Sequence, residues 1–266
     1  MAKKKDPSIT YLNNLGFNVV KLPRAGIEPM DVIGRDETNQ WLGPLRAVWK
    51  STTEEPKPEP PRPAVEIAGK KTDSLNLGVG LKVLANALAA FGATVPSLDF
   101  AYKRARSIQF SYTDVTLTSV SPFAAGEYLS EGTLHTQSPV VSHYFQDPES
   151  QAFLITSVLK STSITVSASD EHGLGVTVDV PAIKELLGAS VSVATTAAGA
   201  GDLTFKGLTP ITFGFSVNEI EYDGTRWSIH GVEPSGDNAF SLQAGAQSET
   251  AAPPTVLLGS ACLLRI

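Results

Sequence analysis

Cysteine is almost missing from this 266-residue chain: Cys262 is the only one, which excludes an internal disulfide framework and any thiolate cluster for zinc or iron and sulfur. A reducing compartment is expected. Histidine is nearly as sparse. His135, His143, His172 and His230 include no i, i+4 pair, the spacing that sets two ligands on one helix face, so neither a metal nor another cofactor is expected. No G-x-S-x-G nucleophile elbow occurs, and the lone cysteine sits in an apolar tail, so no catalytic residues are assigned and the chain is not read as an enzyme. No apolar run reaches the roughly 18 residues of a spanning helix. The opening MAKKKDPSIT lacks the apolar stretch of a signal peptide, which predicts a cytoplasmic chain.

Whole-chain disorder is excluded, because 42% of residues are apolar and only 18% charged. The length leaves one large or two ordinary domains open, with one favoured. Net charge is −6 but unevenly spread: residues 1–106 hold 16 Lys and Arg against 11 Asp and Glu, while 107–266 hold 5 against 16. A basic first part suits an anionic surface, lipid or nucleic acid, or is simply a solvated basic face.

Residues 8–16 read as a short helix ending at Gly16, FNVVKL (17–22) as a strand, and MDVIGRD (30–36) as a short strand or bend. EEPKPEPPRP (54–63) has five prolines in ten positions, and is expected to be an extended loop, since proline fixes φ and removes the amide donor. The clearest helix spans 74–92, capped at Asp73 or Ser74 and stopped by Gly92, with Leu75, Val79, Leu81, Leu84, Leu88 and Phe91 at helical spacing. Gly78 and Gly80 inside it each cost about 1 kcal/mol relative to alanine. They imply close packing, or a helix not required to be stable in every state.

After Lys103, Arg104 and Arg106 the period changes to two. Ile108, Phe110 and Tyr112 alternate with polar residues, and the phase slips at Asp114, the mark of a long strand with a bulge. Ile164, Val166 and Ala168 are expected to pair with Leu174, Val176, Val178 and Val180 across the turn SDEHG. PAIKELLG (181–188) reads as a short helix, Val191 and Val193 as a strand, and Ile220 and Tyr222 face Trp227 and Ile229 across Asp223 and Gly224. The partner faces carry Ser and Thr in place of the usual Lys and Glu, and from Leu154 to Leu203 the only charges are Lys160, Asp170, Glu171, Asp179, Lys184, Glu185 and Asp202. A strand of about 9–11 residues, apolar on one face and small and polar on the other, can line a wet β-barrel in a bilayer. It can equally face water in a soluble sandwich, which makes a β-rich binding module without membrane activity the alternative. Residues 231–255 are rich in Gly, Ser, Ala, Gln and Pro and read as a flexible linker. Beyond it Val256, Leu257, Leu258, Leu263, Leu264 and Ile266 form an apolar terminus, either a docked tether or a last strand of the sheet.

YLNNLGFNVVKLPRAGIEPMDVIG (11–34), NLGVGLKVLANALAAFGA (76–93), LDFAYKRARSIQFSYTDV (98–115) and FLITSVLKSTSITVSA (153–168) together resemble the bacterial gasdermins. The resemblance implies an α+β fold: a twisted central antiparallel β-sheet with flanking helices, like the N-terminal domain of gasdermins, plus a short C-terminal autoinhibitory peptide. It divides the chain into a pore-forming unit at 1–244 and an inhibitory peptide at 245–266. A caspase-like protease would cut in the linker, where Asp237, Phe240 and Leu242 are the candidate positions. The freed part would leave the cytoplasm for anionic lipids of the inner membrane, self-associate into a large β-barrel pore and kill the infected cell, with no role for nucleic acid. By position, Val256, Leu257, Leu258, Leu263, Leu264 and Ile266 would make the autoinhibitory contacts. Ile108, Phe110, Tyr112, Ile164, Val166, Val176, Val178, Val191 and Val193 would lie on membrane-inserting strands. Lys103, Arg104 and Arg106 would meet lipid headgroups. Members of the family can carry a palmitoylated cysteine near the N-terminus; here Lys3, Lys4 and Lys5 stand instead, a basic patch worth about 1 kcal/mol per lysine at an anionic surface.

Overall fold

A computed structural model describes residues 12, 17–36, 39–65, 67–69, 71–72, 74–93, 98–135, 137–187, 191–195 and 202–232, and only the backbone at 19, 21–22, 241–244 and 256–258. Three long strands organise it: β7 (Ser107–Ser119), β9 (Gln151–Ser169) and β11 (Asp202–Tyr222). β9 lies at the centre, antiparallel to β11 along one edge and to β7 along the other, with β2 (Asp31–Arg35) extending the second edge. The outer edge of β11 is shared by β10 (Val191–Thr195), β1 (Asn18–Arg24) and β12 (Trp227–Gly231). β3 (Asn39–Pro44) pairs with β2, and β4 (Trp49–Ser51) with β8 (Gly132–Leu134). β5 (Arg62–Pro63) and β6 (Leu75–Asn76) run against the outer edge of β7. β13 (Ser241–Ala244) and β14 (Val256–Leu258) stand between β1 and β3. The path from β11 through β1, β13, β14, β3 and β2 to β9 therefore closes on itself, because β9 also pairs with β11.

Helix α1 (Leu77–Ala90) starts later than the spacing predicts. Leu75 and Asn76 are held in β6 by Ile108 and Ser107, so Asn76 becomes the cap and its side chain accepts from the Val79 N–H at 3.0 Å. The helix ends at Gly92, which has φ +91°; Ala93 N–H donates to Leu88 O and Gly92 N–H to Ala89 O, a left-handed glycine stop. Helix α2 (Pro122–Ser130) has no hydrophobic period strong enough to announce it, although Ser121 and Pro122 are a cap and a first-turn proline. Helix α3 (Val180–Leu187) forms where PAIKELLG suggests.

The expected hairpin of 164–168 with 174–180 is overturned. Both edges of β9 are already occupied by β7 and β11. Residues 174–179 keep one bridge, Ser169 to Gly175, and two backbone hydrogen bonds to the end of β9, Asp170 N–H to Leu174 O at 2.9 Å and Val176 N–H to Ala168 O at 3.1 Å, before the chain turns into α3. The helix expected at 8–16 lies outside the described residues except for Leu12.

Burial divides into three clusters. The largest lies between α1, the 98–106 loop, α3 and one face of β7, β9, β10 and β11. A second gathers Val20, Ile33, Phe153, Ile155, Val158, Phe215 and Val217 from the strands of the closed path and Ile27 from the segment between β1 and β2, with Trp41 against it. The third joins α2 and β12 to Met30, Val32, Trp49 and Leu154.

Candidate membrane-inserting sheet

The strand order β7, β9, β11, β10 places the expected inserting residues on one surface, because residues paired directly across strands share a face. Phe110 lies opposite Val166, which lies opposite Leu203; Tyr112 lies opposite Ile164, then Phe205, then Val193. The Tyr112 ring stacks on Phe213 with centroids 3.8 Å apart. Ile108, Phe110, Tyr112, Ile164, Val166, Val191 and Val193 are all buried in the largest cluster. Val176 and Val178 join them, although they stand on the extended segment before α3 and not on a strand.

The opposite face is polar in every row. Gln109 lies across from Ser167 and Asp202, Ser111 from Thr165 and Thr204, and Thr113 from Ser163 and Lys206. Its hydroxyls satisfy one another: Thr113 Oγ1 donates to Ser163 Oγ at 2.7 Å, and the Thr165 and Thr204 hydroxyls meet at 2.8 Å. Charges stand only at the margins, Lys206 Nζ on Asp114 at 3.0 Å and Lys71 Nζ on Asp202 at 3.5 Å. Sequence spacing gave the alternation of each strand but not these two pairs, whose members are 92 and 131 residues apart.

Helix α1 lids the apolar face. Leu81, Leu84, Ala87, Leu88 and Phe91 are buried against it, and the four larger side chains contribute about 6–12 kcal/mol as an upper bound. Two glycines set the approach distance. A Cβ at Gly80 would stand 2.9 Å from Ile108 Cβ, and one at Gly207 on β11 would overlap the Phe91 ring. Beside that contact β11 shifts register against β9, while β7 and β9 keep one register from Ser107–Ser169 to Ser119–Ser157. The bulge expected at Asp114 is not formed: Asp114 takes φ +53° opposite an equally unpaired position of β9, where the Ser161 hydroxyl donates to Thr113 O and Ser163 O, and it is β11 that inserts residues, Gly207–Pro210, putting Leu208 at 91% exposure.

Lys103, Arg104 and Arg106 are exposed on the loop between α1 and β7, with half-exposed Phe100 beside them. Lys3, Lys4, Lys5, Asp237, Phe240, Leu263, Leu264 and Ile266 lie outside the described residues. Leu242 pairs with Leu258 and with Val20, and Leu257 with Gln40, as backbone partners. The two final strands thus fill the gap between β1 and β3 over the second cluster.

Asp31, beside that gap, is a site that sequence spacing did not single out. Its carboxylate accepts from Trp41 Nε1 at 2.9 Å and from Glu28 N–H at 3.0 Å. Burial nevertheless pushes its pKa up to about 6. Arg24 lies over the Trp41 ring at 4.7 Å.

No helix among the described residues is long and apolar enough to cross a bilayer, which leaves crossing by strands untouched. The family model described as "Bacterial Gasdermin Family" matches residues 20–231. Similar proteins include the gasdermin bGSDM of Vitiosangium sp., 34% identical over 90% of each chain, and that of Lysobacter enzymogenes, 31% identical over 84% of this chain and 83% of the other. The solved structure of a bacterial gasdermin from Bradyrhizobium tropiciagri superimposes with a TM-score of 0.63 at 20% identity, covering 85% of this chain and 91% of that one.

Proposed function

The chain belongs to the bacterial gasdermin family, and from that membership we propose that it is a latent effector of antiphage cell death, activated by proteolytic removal of its C-terminal peptide. Gasdermins are non-enzymatic pore-forming proteins, and the chemistry to be explained is physical: an apolar sheet face exchanges a protein interior for hydrocarbon. The observation that carries this reading is the segregation of β7, β9, β11 and β10 into one wholly apolar and one Ser and Thr face. Such a sheet suits a barrel wall, with alternate residues facing lipid and a wet lumen.

In the latent state the apolar face is dry under α1 and α3. With Gly78 and Gly80 in its first turn, α1 draws its stability from that docking more than from intrinsic propensity. The C-terminal strands add a restraint by closing the sheet between β1 and β3. Backbone pairing and tethering hold them together; once the linker is cut, the millimolar effective concentration supplied by the tether is gone. The protease would be a caspase-like enzyme cutting near Asp237, Phe240 or Leu242, with Val256, Leu257, Leu258, Leu263, Leu264 and Ile266 as the inhibitory contacts. Lys103, Arg104 and Arg106, with Lys3, Lys4 and Lys5, would bring the freed part from the cytoplasm to anionic lipid of the inner membrane, where it assembles as a large oligomer.

The test is release of an encapsulated dye from anionic liposomes. Full-length protein should release little, and protein cut at a protease site inserted between Gly245 and Ala246 should release most of it. A cut protein that stays monomeric and releases nothing would overturn the reading in favour of a soluble binding module.

A further inference from the structure

The two lateral edges of the four-strand sheet are not alike. β10 ends the sheet, and among the described residues no strand pairs with its outer edge. The outer edge of β7 is covered almost from end to end by one earlier stretch, Glu59 to Leu77. Glu59 N–H donates to Ser119 O, Ala64 N–H to Val115 O, Gly69 N–H to Tyr112 O, Thr72 N–H to Phe110 O and Leu77 N–H to Arg106 O, at 2.7–3.0 Å. Between these contacts, Arg62 and Pro63 pair with Leu117 and Thr116, Lys71 bridges Ser111, and Leu75 and Asn76 pair with Ile108 and Ser107. Thr72 also accepts from the Phe110 N–H through its hydroxyl at 3.0 Å. Ile67, Thr72 and Leu75 are its buried anchors, whereas Glu59 to Pro63 is exposed.

A covered edge cannot accept another strand, and prolines at 56, 58, 60, 61 and 63 deprive the cover of donors for one of its own. In a hydrocarbon layer this arrangement cannot persist at a subunit boundary, because a spanning sheet must close with every backbone group paired. The strands alternate in direction from β7 through β9 and β11 to β10, each pair antiparallel. β10 of one copy set against β7 of the next continues that alternation around a ring.

We propose that the Glu59–Leu77 strap is a removable edge guard, occupying on β7 the place that β10 of a second copy takes in the assembled oligomer. This rests on the pore-forming reading and adds a second gate: loss of the C-terminal peptide frees the sheet, but assembly waits for the strap to leave β7. The strap is built for this. Among the described residues it is held by scattered backbone bonds and three buried side chains, so it can peel away without dismantling the core.

Lys71→Cys with Ser111→Cys, in a Cys262→Ser chain carrying the inserted protease site, joins strap to β7 across the Lys71–Ser111 bridge. After cleavage the oxidised protein should release dye at least tenfold more slowly than the reduced protein and form no large oligomer. Addition of reductant should restore release. Equal release by oxidised and reduced protein would overturn the guard, whereas no release in either state would overturn the pore-forming reading with it. A second measurement needs no engineered bond. Ile67→Ala with Thr72→Ala should shorten the lag between cleavage and release several-fold, and an unchanged lag in protein that remains folded and latent before cleavage would also overturn the guard.

Discussion

At the scale of single residues, close approach and buried charge set the margins of the latent state. Gly207 has no side chain because the Phe91 ring rests on it, so Gly207→Ala should destabilise the uncut protein by about 1–3 kcal/mol, read as a shift in denaturant midpoint. It should also quicken dye release after cleavage. Asp31 acts through its proton. With a folded-state pKa of about 6 against an ordinary value of 3.8, the folded protein binds a proton that the unfolded chain releases. Its contribution to stability therefore falls as pH rises between about 4 and 6, and stays low above that. The shift corresponds to about 3 kcal/mol. Asp31→Asn should be the more stable protein at pH 7.5 by a large part of that amount and should lose the advantage near pH 4; denaturation at both pH values measures the difference. Neither position is conspicuous in the sequence, because a glycine in a strand and an aspartate at a strand start are ordinary until their neighbours are known.

Elements show where local pattern and tertiary structure part company. Leu174, Val176, Val178 and Val180 alternate as a strand should, yet β9 leaves an edge free for them only beyond Ser167, and Val180 opens α3 instead. Under the pore-forming reading this conflict has a physical meaning: β10 and the distal part of β11 are too short for a bilayer, and the alternating segment supplies the missing strand once α3 unwinds. Thr177 is exposed and its N–H makes no hydrogen bond among the described residues, so Thr177→Pro should leave latent stability within about 0.5 kcal/mol. In a barrel it would remove a ladder donor, and dye release after cleavage should fall at least tenfold. Helix α1, by contrast, was legible almost to its ends, since a 3.6 period and a glycine stop are local signals. Only its first residues differ, because the pairing of β6 with β7 is decided from 30 residues away.

At the scale of the whole molecule, charge and closure govern. Lys103, Arg104 and Arg106 carry about 1 kcal/mol each toward an anionic surface, so replacing all three with Gln should weaken binding of the cut protein to anionic vesicles by about 100-fold. Vesicle sedimentation measures it, and the difference should shrink as salt rises. Leu257→Asp with Leu258→Asp should give dye release without protease, since β14 completes the sheet between β13 and β3; unchanged latency would remove those residues from the restraint. The sequence by itself determined the alternation of the long strands, the helices at 77–90 and 180–187, the β11–β12 hairpin, the uneven charge and the likeness to gasdermins, because each is carried by neighbours in the chain or by a run of matched residues. Only the tertiary structure decided which strands pair, that β11 inserts four residues beside Asp114, that a proline-rich stretch covers an edge, and that burial raises the pKa of Asp31. Pairing partners, free edges and desolvation depend on groups brought together from distant parts of the chain, and a one-dimensional pattern contains no record of those distances.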